Sequence, residues 1–214
     1  MIKAIVFDCW GTLFYDDIKP HPFHEFAGKI GHSFRDYSFL KLFERNLMLE
    51  KCDDIESAIR DILRELKIEP KRELVDELVY LLAVKSVEYI KAYPDTLVNL
   101  NKLRQNFKVA LLSNDFSWSF GKLEERYNIK EIFDVIVLSH EVGLIKPNPK
   151  IYQITLDKLG VKKEEVLIVG DNLKDDVIEG ENFGFRGLLL DRKNKYPKYI
   201  NKIKSLEEIY DHLK

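Results

Sequence analysis

The chain has 214 residues and a net charge of -2, from 34 basic and 36 acidic residues. Hydrophobic residues make up 45% and charged residues 33%, which is typical of a folded globular protein and excludes a disordered one. Because the charges nearly balance, we expect neither nucleic acid nor a membrane as partner. Only two cysteines, Cys9 and Cys52, are present, so no disulfide framework is expected.

The amino-terminal residues also bear on location. Residues 1–7 form a short apolar run that reaches Asp8 too soon for a secretory signal peptide. No stretch approaches the roughly 18 apolar residues that a membrane-spanning helix needs. These features predict a cytoplasmic protein.

Short apolar runs recur along the chain. They are rich in β-branched residues and leucine and do not alternate with polar residues, as expected for strands buried on both faces of a parallel sheet. The runs cover residues 2–7, 109–112, 135–138, 166–169 and 187–190. Helical patterns lie between them, for example at Leu97, Leu100 and Leu103. This alternation predicts an α/β fold whose core is a Rossmann-like, doubly wound parallel sheet.

Residues 15–92 differ because no strand-like run interrupts them. Apolar residues keep helical spacing there, as at Ile55, Ile59 and Ile62. We predict a block of about four helices, inserted after the first strand, that stands off the sheet as a helical cap. The α/β core would then comprise residues 1–14 and 93–214. A final helix is predicted after Ser205, where Glu208 would complete a capping box.

Polar residues follow four of the predicted strands. Asp8 follows the first, Ser113 and Asn114 the second and Asp171 the fourth, while Lys146 lies a few residues beyond the third. Ligands bind at the carboxyl ends of the strands in open α/β sheets, so we expect these side chains to share one edge. A carboxylate can attack phosphorus or carbon to form a covalent intermediate, and two or more carboxylates can hold a hard cation. A lysine and a serine can stabilise the charge of a phosphoryl group during its transfer.

The segments Asp8-Cys-Trp-Gly-Thr-Leu, Ser113-Asn114, Lys146-Pro147 and Gly170-Asp171-Asn-Leu-Lys-Asp-Asp176 resemble, in order, the four motifs of the haloacid-dehalogenase-like hydrolase superfamily. The resemblance covers residues 1–191, and the helical insertion lies where the alpha-capped branch of that family has its cap. It implies a Mg2+-dependent hydrolase. We expect a phosphatase that acts on a small phosphate monoester through an aspartyl-phosphate intermediate.

The resemblance also implies a role for each motif residue. Asp8 would be the covalent nucleophile, with the Thr12 hydroxyl near it. Ser113 and the backbone of Asn114 would bind the transferring group, and Lys146 would pair with Asp8 and the substrate anion. The metal site would comprise Asp8, Asp171, Asp176 and the backbone carbonyl of Trp10, with Asp175 as the less favoured alternative to Asp176.

Trp10 departs from the family pattern, because phosphatases of the family usually carry a second aspartate there as general acid and base. An indole has only a donor N–H and cannot shuttle protons, and loss of such help typically lowers rates by ~10²–10⁴-fold. The family's dehalogenases also lack that aspartate, so a 2-haloacid dehalogenase that uses Asp8 without metal is one alternative. A catalytically weak binding or regulatory protein is another. Asp171 favours the metal-dependent phosphatase, because the dehalogenases need no metal and lack an aspartate at that place.

Histidines and arginines of the cap have both a functional and a structural interpretation. His21, His24 and His32 match no metal-ligand spacing, so exposed histidines are the favoured interpretation. Arg35 and Arg45 could grip a substrate carboxylate, as a cap arginine does in the dehalogenases. We favour a solvent-facing position for both, because charged helix residues mostly face water.

A run of aromatic residues in the cap could line a substrate pocket, but we favour a helix core for it. The run comprises Phe34, Tyr37, Phe39 and Phe43. The cap would determine substrate choice, and its residues follow no code that names the substrate. We expect a small-molecule substrate and either a monomer or a homodimer.

Overall fold

A computed structural model describes residues 1–213. Its strands are β1 (Ala4–Phe7), β2 (Phe14–Tyr15), β3 (Lys91–Ala92), β4 (Lys108–Ser113), β5 (Val135–Leu138), β6 (Val166–Gly170), β7 (Arg186–Leu190) and β8 (Lys202–Ile203). Six of them form one sheet in the order β5-β4-β1-β6-β7-β8, and every neighbouring pair is parallel. The predicted parallel sheet is therefore confirmed.

The helices are α1 (Pro22–Lys29), α2 (Tyr37–Leu47), α3 (Ile55–Glu65), α4 (Arg72–Val79), α5 (Ser86–Glu88), α6 (Thr96–Leu103), α7 (Ser117–Tyr127), α8 (Ile129–Ile132), α9 (Ser139–Val142), α10 (Pro149–Leu159) and α11 (Glu179–Phe183). Two π-helical turns, Tyr80–Lys85 and Leu173–Ile178, and two 3₁₀ turns, Lys163–Glu165 and Leu206–His212, complete the chain. Within residues 1–213, no helix is both long and apolar enough to cross a membrane.

The sheet is buried on both faces, which explains the continuous apolar runs in the sequence. All four residues of β1 are fully buried. Side chains that point to one face pack against α6, α7 and the Leu206–His212 turn, and those on the other face pack against α10. Helices thus cover both faces of the sheet, as a doubly wound fold requires.

β1 occupies the middle of the sheet, and this position decides where the site can lie. Its neighbours are β4 on one side and β6 on the other. The chain therefore builds the sheet outward on one side of β1 and later on the other side. This reversal of direction opens a crevice at the carboxyl ends of these three strands. Asp8, Asn114 and Asp171 each directly follow one of them.

The block between β2 and β3 is helical, as predicted, and has a hydrophobic cluster of its own. Acidic side chains begin two of its helices, because Asp36 accepts from the backbone N–H of Ser38 and Asp54 from that of Ser57. No sequence pattern predicted the antiparallel pair β2–β3, which joins the two chain segments at the base of the cap. The boundaries at residues 14/15 and 92/93 stay a prediction.

Two features near the carboxyl terminus differ from expectation. β8 has only two residues in the sheet, too few to give an apolar run. The last predicted helix is a 3₁₀ helix, Leu206–His212, and it begins at the predicted capping box of Ser205 and Glu208. Its buried residues Leu206 and Ile209 are three apart, which suits three residues per turn. Lys214, at the end of the predicted core, lies outside the described residues.

Candidate active site

Asp8 is the first residue beyond β1, and two side chains hold its carboxylate. The Thr12 hydroxyl donates to Oδ2 at 2.9 Å, and Lys146 Nζ donates to Oδ1 at 2.6 Å. The backbone N–H of Asp8 donates to Val169 O at 2.9 Å, which extends the pairing of β1 with β6 by one residue. The carboxylate is therefore fixed at the crevice. The predicted neighbourhood of Asp8, Thr12 and Lys146 is found as expected, while their catalytic roles stay predictions.

Lys146 is buried between two carboxylates. Its Nζ lies 2.6 Å from Asp8 Oδ1 and 2.6 Å from Asp176 Oδ1, and its side chain is only 4% exposed. Burial alone would lower the pKa of Lys146, but the two carboxylates outweigh burial and raise the pKa above its ordinary value. Lys146 thus stays charged. A buried cation of this kind compensates two acids whose mutual repulsion would otherwise be large.

Asn114 holds Lys146 by its side chain, a contact that the sequence did not reveal. Asn114 Oδ1 accepts from the Lys146 backbone N–H at 2.7 Å, and Asn114 Nδ2 donates to the Lys146 carbonyl oxygen at 3.2 Å. This pair of bonds fixes the backbone from which the lysine reaches the acids. The predicted role of the Asn114 backbone toward the transferring group stays a prediction.

Three carboxylates converge beside the nucleophile. Asp8, Asp171 and Asp176 each offer an oxygen, and these oxygens lie within 4.8 Å of one another. Within residues 1–213, no other group of three potential ligands from histidine, cysteine or acidic residues is found. A set made only of carboxylate oxygens fits a hard divalent cation such as Mg2+.

Two glycines make room for these acids. A Cβ at Gly11 would lie 2.7 Å from the Asp171 carboxylate, and a Cβ at Gly170 would collide with the Asp176 carboxylate. Any larger residue at either position would push a carboxylate away from the group. Both glycines belong to the motif segments, so local sequence and site geometry agree here.

The structure distinguishes Asp176 from Asp175. Asp176 is buried, its Oδ2 accepts from the Asn172 backbone N–H at 3.1 Å, and it belongs to the carboxylate group. The Asp175 carboxylate instead accepts from Asn172 Nδ2 at 2.9 Å and lies outside that group. Burial and the nearby Asp8 charge raise the pKa of Asp176. Of the two candidates, only Asp176 is placed to support a metal.

Lys195 is a neighbour of the acidic group that the sequence did not identify. Its Nζ lies 2.8 Å from Asp171 Oδ2. Burial raises the pKa of Asp171, and the hydrogen bond from Lys195 only partly offsets that rise. Lys195 comes from the irregular segment after β7, where no periodicity could indicate its direction.

Ser113 ends β4 and is fully buried. Its hydroxyl oxygen has no hydrogen-bond partner of ordinary geometry, although the Cys9 thiol, a weak partner, lies close to it. Buried hydroxyls are nearly always hydrogen-bonded, so an unpaired one beside the nucleophile strand suits a ligand oxygen. Its predicted role in binding the transferring group stays a prediction.

Trp10 lies between the site and a buried acid. It is half-buried, and its backbone forms a bridge with Phe14. The indole N–H lies close to the Asp115 carboxylate and acts to lower its pKa, without a hydrogen bond of ordinary geometry. The metal role of the Trp10 carbonyl stays a prediction.

Asp115 follows directly after Ser113-Asn114, and no sequence pattern identified it as a site residue. It is fully buried, and its Oδ1 accepts from the Phe116 backbone N–H at 2.7 Å and from the Ser119 hydroxyl. Its Oδ2 has no partner of ordinary geometry. Burial raises the pKa of Asp115 to about 7, and these donors only partly offset the effect. Its place in the turn between β4 and α7 was the one available signal.

We expect Asp115→Asn to flatten the pH dependence of stability. The ordinary pKa of 3.8 is raised to about 7 in the folded protein, so the folded state holds the proton more tightly. The stability that this proton provides is complete below pH ~4 and is lost as the pH rises through about 7. As the pH rises from 4 to above 7, this group should cost the wild type about 4 kcal/mol of its free energy of unfolding, and the asparagine variant should not show this loss. Denaturant unfolding between pH 4 and 8 measures this.

Asp211→Asn is the control, because Asp211 is exposed and should give the same pH profile as the wild type. An unchanged pH slope in Asp115→Asn would show that Asp115 is already ionised in the folded protein at low pH.

A cavity of about 410 Å³ lies between the cap and the core, beside the acidic group. Trp10, Asn114 and Asp171 border it from the core, and His21 and Phe23 border it from the cap. A cavity of this size next to the acidic group can enclose a small molecule.

The histidines and arginines of the cap differ in their exposure and in their position relative to the cavity. His24 is exposed, as expected, whereas His21 and His32 are half-buried, so the exposed position predicted for them is wrong. His32 stacks on the Phe39 ring, which removes it from solvent. Arg45 pairs with Glu65 on the surface, and neither it nor the exposed Arg35 borders the cavity.

The predicted aromatic core of the cap is mostly confirmed. Phe39 and Phe43 are buried in the cap cluster, and Phe34 packs against it. Tyr37 is 72% exposed, so its prediction as core is wrong. It is the first residue of α2, where its ring can contact Lys41 at the surface and not the interior.

Comparison with known proteins agrees with this geometry. A family model of the haloacid dehalogenase-like hydrolases matches residues 2–184. The chain is 27% identical to glyceraldehyde 3-phosphate phosphatase of Methanopyrus kandleri, over 92% of this chain and 86% of that protein. It is 28% identical to (S)-2-haloacid dehalogenase 4A of Burkholderia cepacia, over 98% of this chain and 94% of that protein.

A solved structure has the same fold. It is a haloacid dehalogenase-like enzyme of Bacteroides thetaiotaomicron in complex with magnesium and inorganic phosphate, with a TM-score of 0.67 over 92% of this chain and 98% of that chain. The two sequences are 20% identical, so the likeness shows the fold alone. The family match spans most of the chain, and the chain therefore belongs to the haloacid dehalogenase-like hydrolases and is a hydrolase.

Proposed function

We propose that the protein is a Mg2+-dependent phosphatase that hydrolyses a small phosphate monoester through an aspartyl-phosphate intermediate on Asp8. One observation carries the proposal. Asp8, Asp171 and Asp176 bring carboxylate oxygens within 4.8 Å of one another, with Lys146 bonded to two of the three. An all-carboxylate group beside a fixed nucleophile suits a metal-assisted transfer.

In the first step the Asp8 carboxylate forms a bond to phosphorus while the bond from phosphorus to the leaving oxygen breaks. Thr12 and Lys146 hold the attacking carboxylate in place. Asp8, Asp171 and Asp176 would hold Mg2+, which when bound supplies positive charge to the phosphoryl oxygens. Lys146 adds a fixed positive charge on the nucleophile side.

In the second step a water oxygen attacks phosphorus and the bond to Asp8 breaks. This releases inorganic phosphate and restores the carboxylate. The leaving alcohol has gained one proton and the water has lost one, so the sum is one ester and one water consumed for one alcohol and one phosphate. No carboxyl at position 10 can carry these protons, because Trp10 stands there.

Dehalogenation is the second candidate, favoured by the near full-length likeness to a 2-haloacid dehalogenase. Two features argue against it. A 2-haloacid carries a carboxylate that needs a cation from the cap, and neither Arg35 nor Arg45 borders the cavity. Asp171 also borders the cavity and adds a negative charge there, which disfavours a substrate carboxylate. The phosphatase is therefore the better supported function.

A direct assay separates the candidates. The phosphatase predicts Mg2+-dependent release of phosphate from 4-nitrophenyl phosphate and loss of that activity with chelator. Halide release from a 2-haloacid in the presence of chelator would instead support the dehalogenase. Neither activity in a folded protein would support a binding or regulatory role. The cytoplasmic location and the monomeric or dimeric state stay predictions.

We expect Mg2+ to raise the melting temperature, because a ligand that binds only the folded state stabilises it by mass action. At a free Mg2+ concentration 100 times Kd, the gain is about 2.7 kcal/mol, or roughly 5–10 °C in Tm for a chain of this size. Asp171→Asn should lose most of this shift. Thermal unfolding with and without Mg2+ measures it.

Asp175→Asn is the matched control. It removes the same charge four residues after Asp171 and one residue before Asp176 in the chain, but outside the carboxylate group. It should keep the Mg2+ shift. If Asp171→Asn keeps the full shift as well, Asp171 is not a metal ligand.

A further inference from the structure

The cavity beside the acidic group has walls that are mainly aromatic and apolar. Both sides contribute, with Trp10, Tyr93 and Phe116 from the core and Tyr15, Phe23 and Met48 from the cap. The rings pack against one another across the junction of the two parts. Tyr15 stacks on Tyr93 with centroids 4.4 Å apart, and Phe23 meets Phe116 edge to face at 5.2 Å.

The size of the cavity exceeds what a small polar substrate needs. Its volume of about 410 Å³ lies within the range of sites that enclose ring-bearing ligands, roughly 300–1,000 Å³. A three-carbon sugar phosphate would leave much of the aromatic wall without a partner. Apolar surface of this kind is normally covered when a ligand is bound.

The charges around the cavity do not favour a second anion on the substrate. Arg192 borders it, but its guanidinium binds both Asp95 oxygens at 2.9 Å. Lys195 also borders it and is bonded to Asp171. Both cations are thus committed to acids of the protein. Among the described residues, Lys193 is the remaining cation at the border, and it lies close enough to Asp16 to help lower the pKa of that acid.

The cap side of the cavity carries an acidic side chain, Asp16. Among the described residues, those that the cap contributes to the border include no lysine or arginine. They include Asp16, whose Oδ2 lies 3.2 Å from His21 Nε2. His21 Nδ1 accepts from the Phe23 backbone N–H, so its proton is on Nε2, toward Asp16. Asp16 repels a substrate carboxylate or a second phosphate in this part of the cavity.

The geometry points to a substrate class: a phosphate monoester of an alcohol that carries a flat, uncharged ring, with the phosphate at Asp8 and the ring between Phe23 of the cap and the aromatic wall of the core. This inference rests on the proposed phosphatase function, which it narrows. Phe23 is half-buried, so part of its ring is free to cover a ligand. Short polar sugar phosphates should be poor substrates of the protein.

Three alkyl phosphates test it, because all three have poor leaving groups and differ mainly in what enters the cavity. They are 2-phenylethyl phosphate, 2-cyclohexylethyl phosphate and glycerol 3-phosphate, compared by kcat/KM in the presence of Mg2+. We expect the phenyl compound to exceed glycerol 3-phosphate at least about tenfold, chiefly through KM. The saturated ring should fall between them, about threefold below the phenyl compound, because it buries similar area without aromatic contacts.

A matched pair of variants separates the contact of the substrate with the cavity wall from the general packing of the cap. Phe23→Leu keeps an apolar side chain but removes the ring, so KM for the phenyl substrate should rise about fivefold while KM for glycerol 3-phosphate stays the same. Phe34→Leu is the control, because Phe34 packs on Phe23 in the cap but does not border the cavity. It should leave both KM values unchanged. Equal effects of the two variants would overturn the assignment of the wall.

A binding measurement keeps this inference distinct from the proposed function. The inert phosphonate 3-phenylpropylphosphonate should bind about tenfold more tightly than propylphosphonate by calorimetry, whether or not turnover is seen. If 4-nitrophenyl phosphate is hydrolysed but the ring gives no advantage in kcat/KM or binding, the inference is wrong and the phosphatase stands. If the ring favours binding but no phosphate ester is hydrolysed, the cavity is assigned correctly and the phosphatase is wrong.

Discussion

We expect the replacement of Asp8 by asparagine to abolish the proposed phosphate release while the protein stays folded. An amide cannot form the covalent intermediate, and removal of a nucleophile lowers kcat by on the order of 10⁴–10⁶-fold. The fold should tolerate the change because asparagine has the same shape. Its amide oxygen can still accept from Thr12 or Lys146, and Lys146 keeps Asp176 as a partner. Initial rates with 4-nitrophenyl phosphate, together with Tm, measure both parts.

Asp175→Asn serves again as the control, since it makes the same chemical change next to the site without touching the nucleophile. It should keep most of the activity. A folded Asp8→Asn protein that releases phosphate at the rate of the wild type would contradict the covalent mechanism. A variant that fails to fold would instead show that Lys146 depends on both carboxylates, and Asp8→Glu would then test the nucleophile by moving it about one bond length.

The part of the site that lies at strand ends could be predicted from sequence. β1, β4 and β6 are buried on both faces, so each reads as an apolar run whose end is marked by the first polar residue. The parallel order then brings Asp8, Asn114 and Asp171 to one edge. Their meeting follows from topology alone and needs no knowledge of side-chain contacts.

The contacts that complete the site could not be predicted in this way. Lys195 reaches Asp171 from an irregular segment 24 residues later, and Asn114 holds the Lys146 backbone across 32 residues. Such pairs carry no periodic signal, because loops have no fixed direction for their side chains. The burial of Asp115 could not be predicted for another reason. An acid in a turn after a strand is normally expected to be exposed, and only the packing of α7 shows that this one is buried.

In the cap, too, the sequence pattern predicts only part of the structure. Helical spacing predicted its apolar faces, and Phe39 and Phe43 do pack inside it. Spacing cannot show which apolar residues face the core and border the cavity, as Phe23 and Met48 do. That choice depends on how the cap meets the core through Tyr15 in β2 and Tyr93, which follows β3 directly. Substrate preference is therefore a tertiary property of this chain.

Trp10 leads to the second large effect, a strong dependence on the leaving group. With no carboxyl at position 10, the leaving oxygen departs without a proton donor there, so esters of acidic alcohols should react much faster. We expect kcat/KM for 4-nitrophenyl phosphate to exceed that for 2-phenylethyl phosphate by roughly 10²–10⁴-fold, the usual contribution of general acid–base catalysis. Both substrates carry a ring, so the cavity contributes similarly to each, and the ratio reports protonation.

Trp10→Asp should shrink this ratio by ~10-fold or more, through faster hydrolysis of the alkyl ester. Asp115 lies close to the indole and Asp8 is two residues away, so the new carboxyl would stand beside other acids, which raise its pKa and suit it to donate a proton. Trp10→Asn is the matched control, equal in size to the aspartate variant but without an acid, and should keep the wild-type ratio.

Loss of the indole also removes packing, which costs up to roughly 3–5 kcal/mol for a buried tryptophan and less for a half-buried one. Tm and the Mg2+ shift must therefore be measured beside the rates. If the wild type shows no leaving-group preference, and a folded, Mg2+-binding Trp10→Asp protein is no faster than Trp10→Asn on the alkyl ester, then position 10 does not limit protonation and another group delivers the proton.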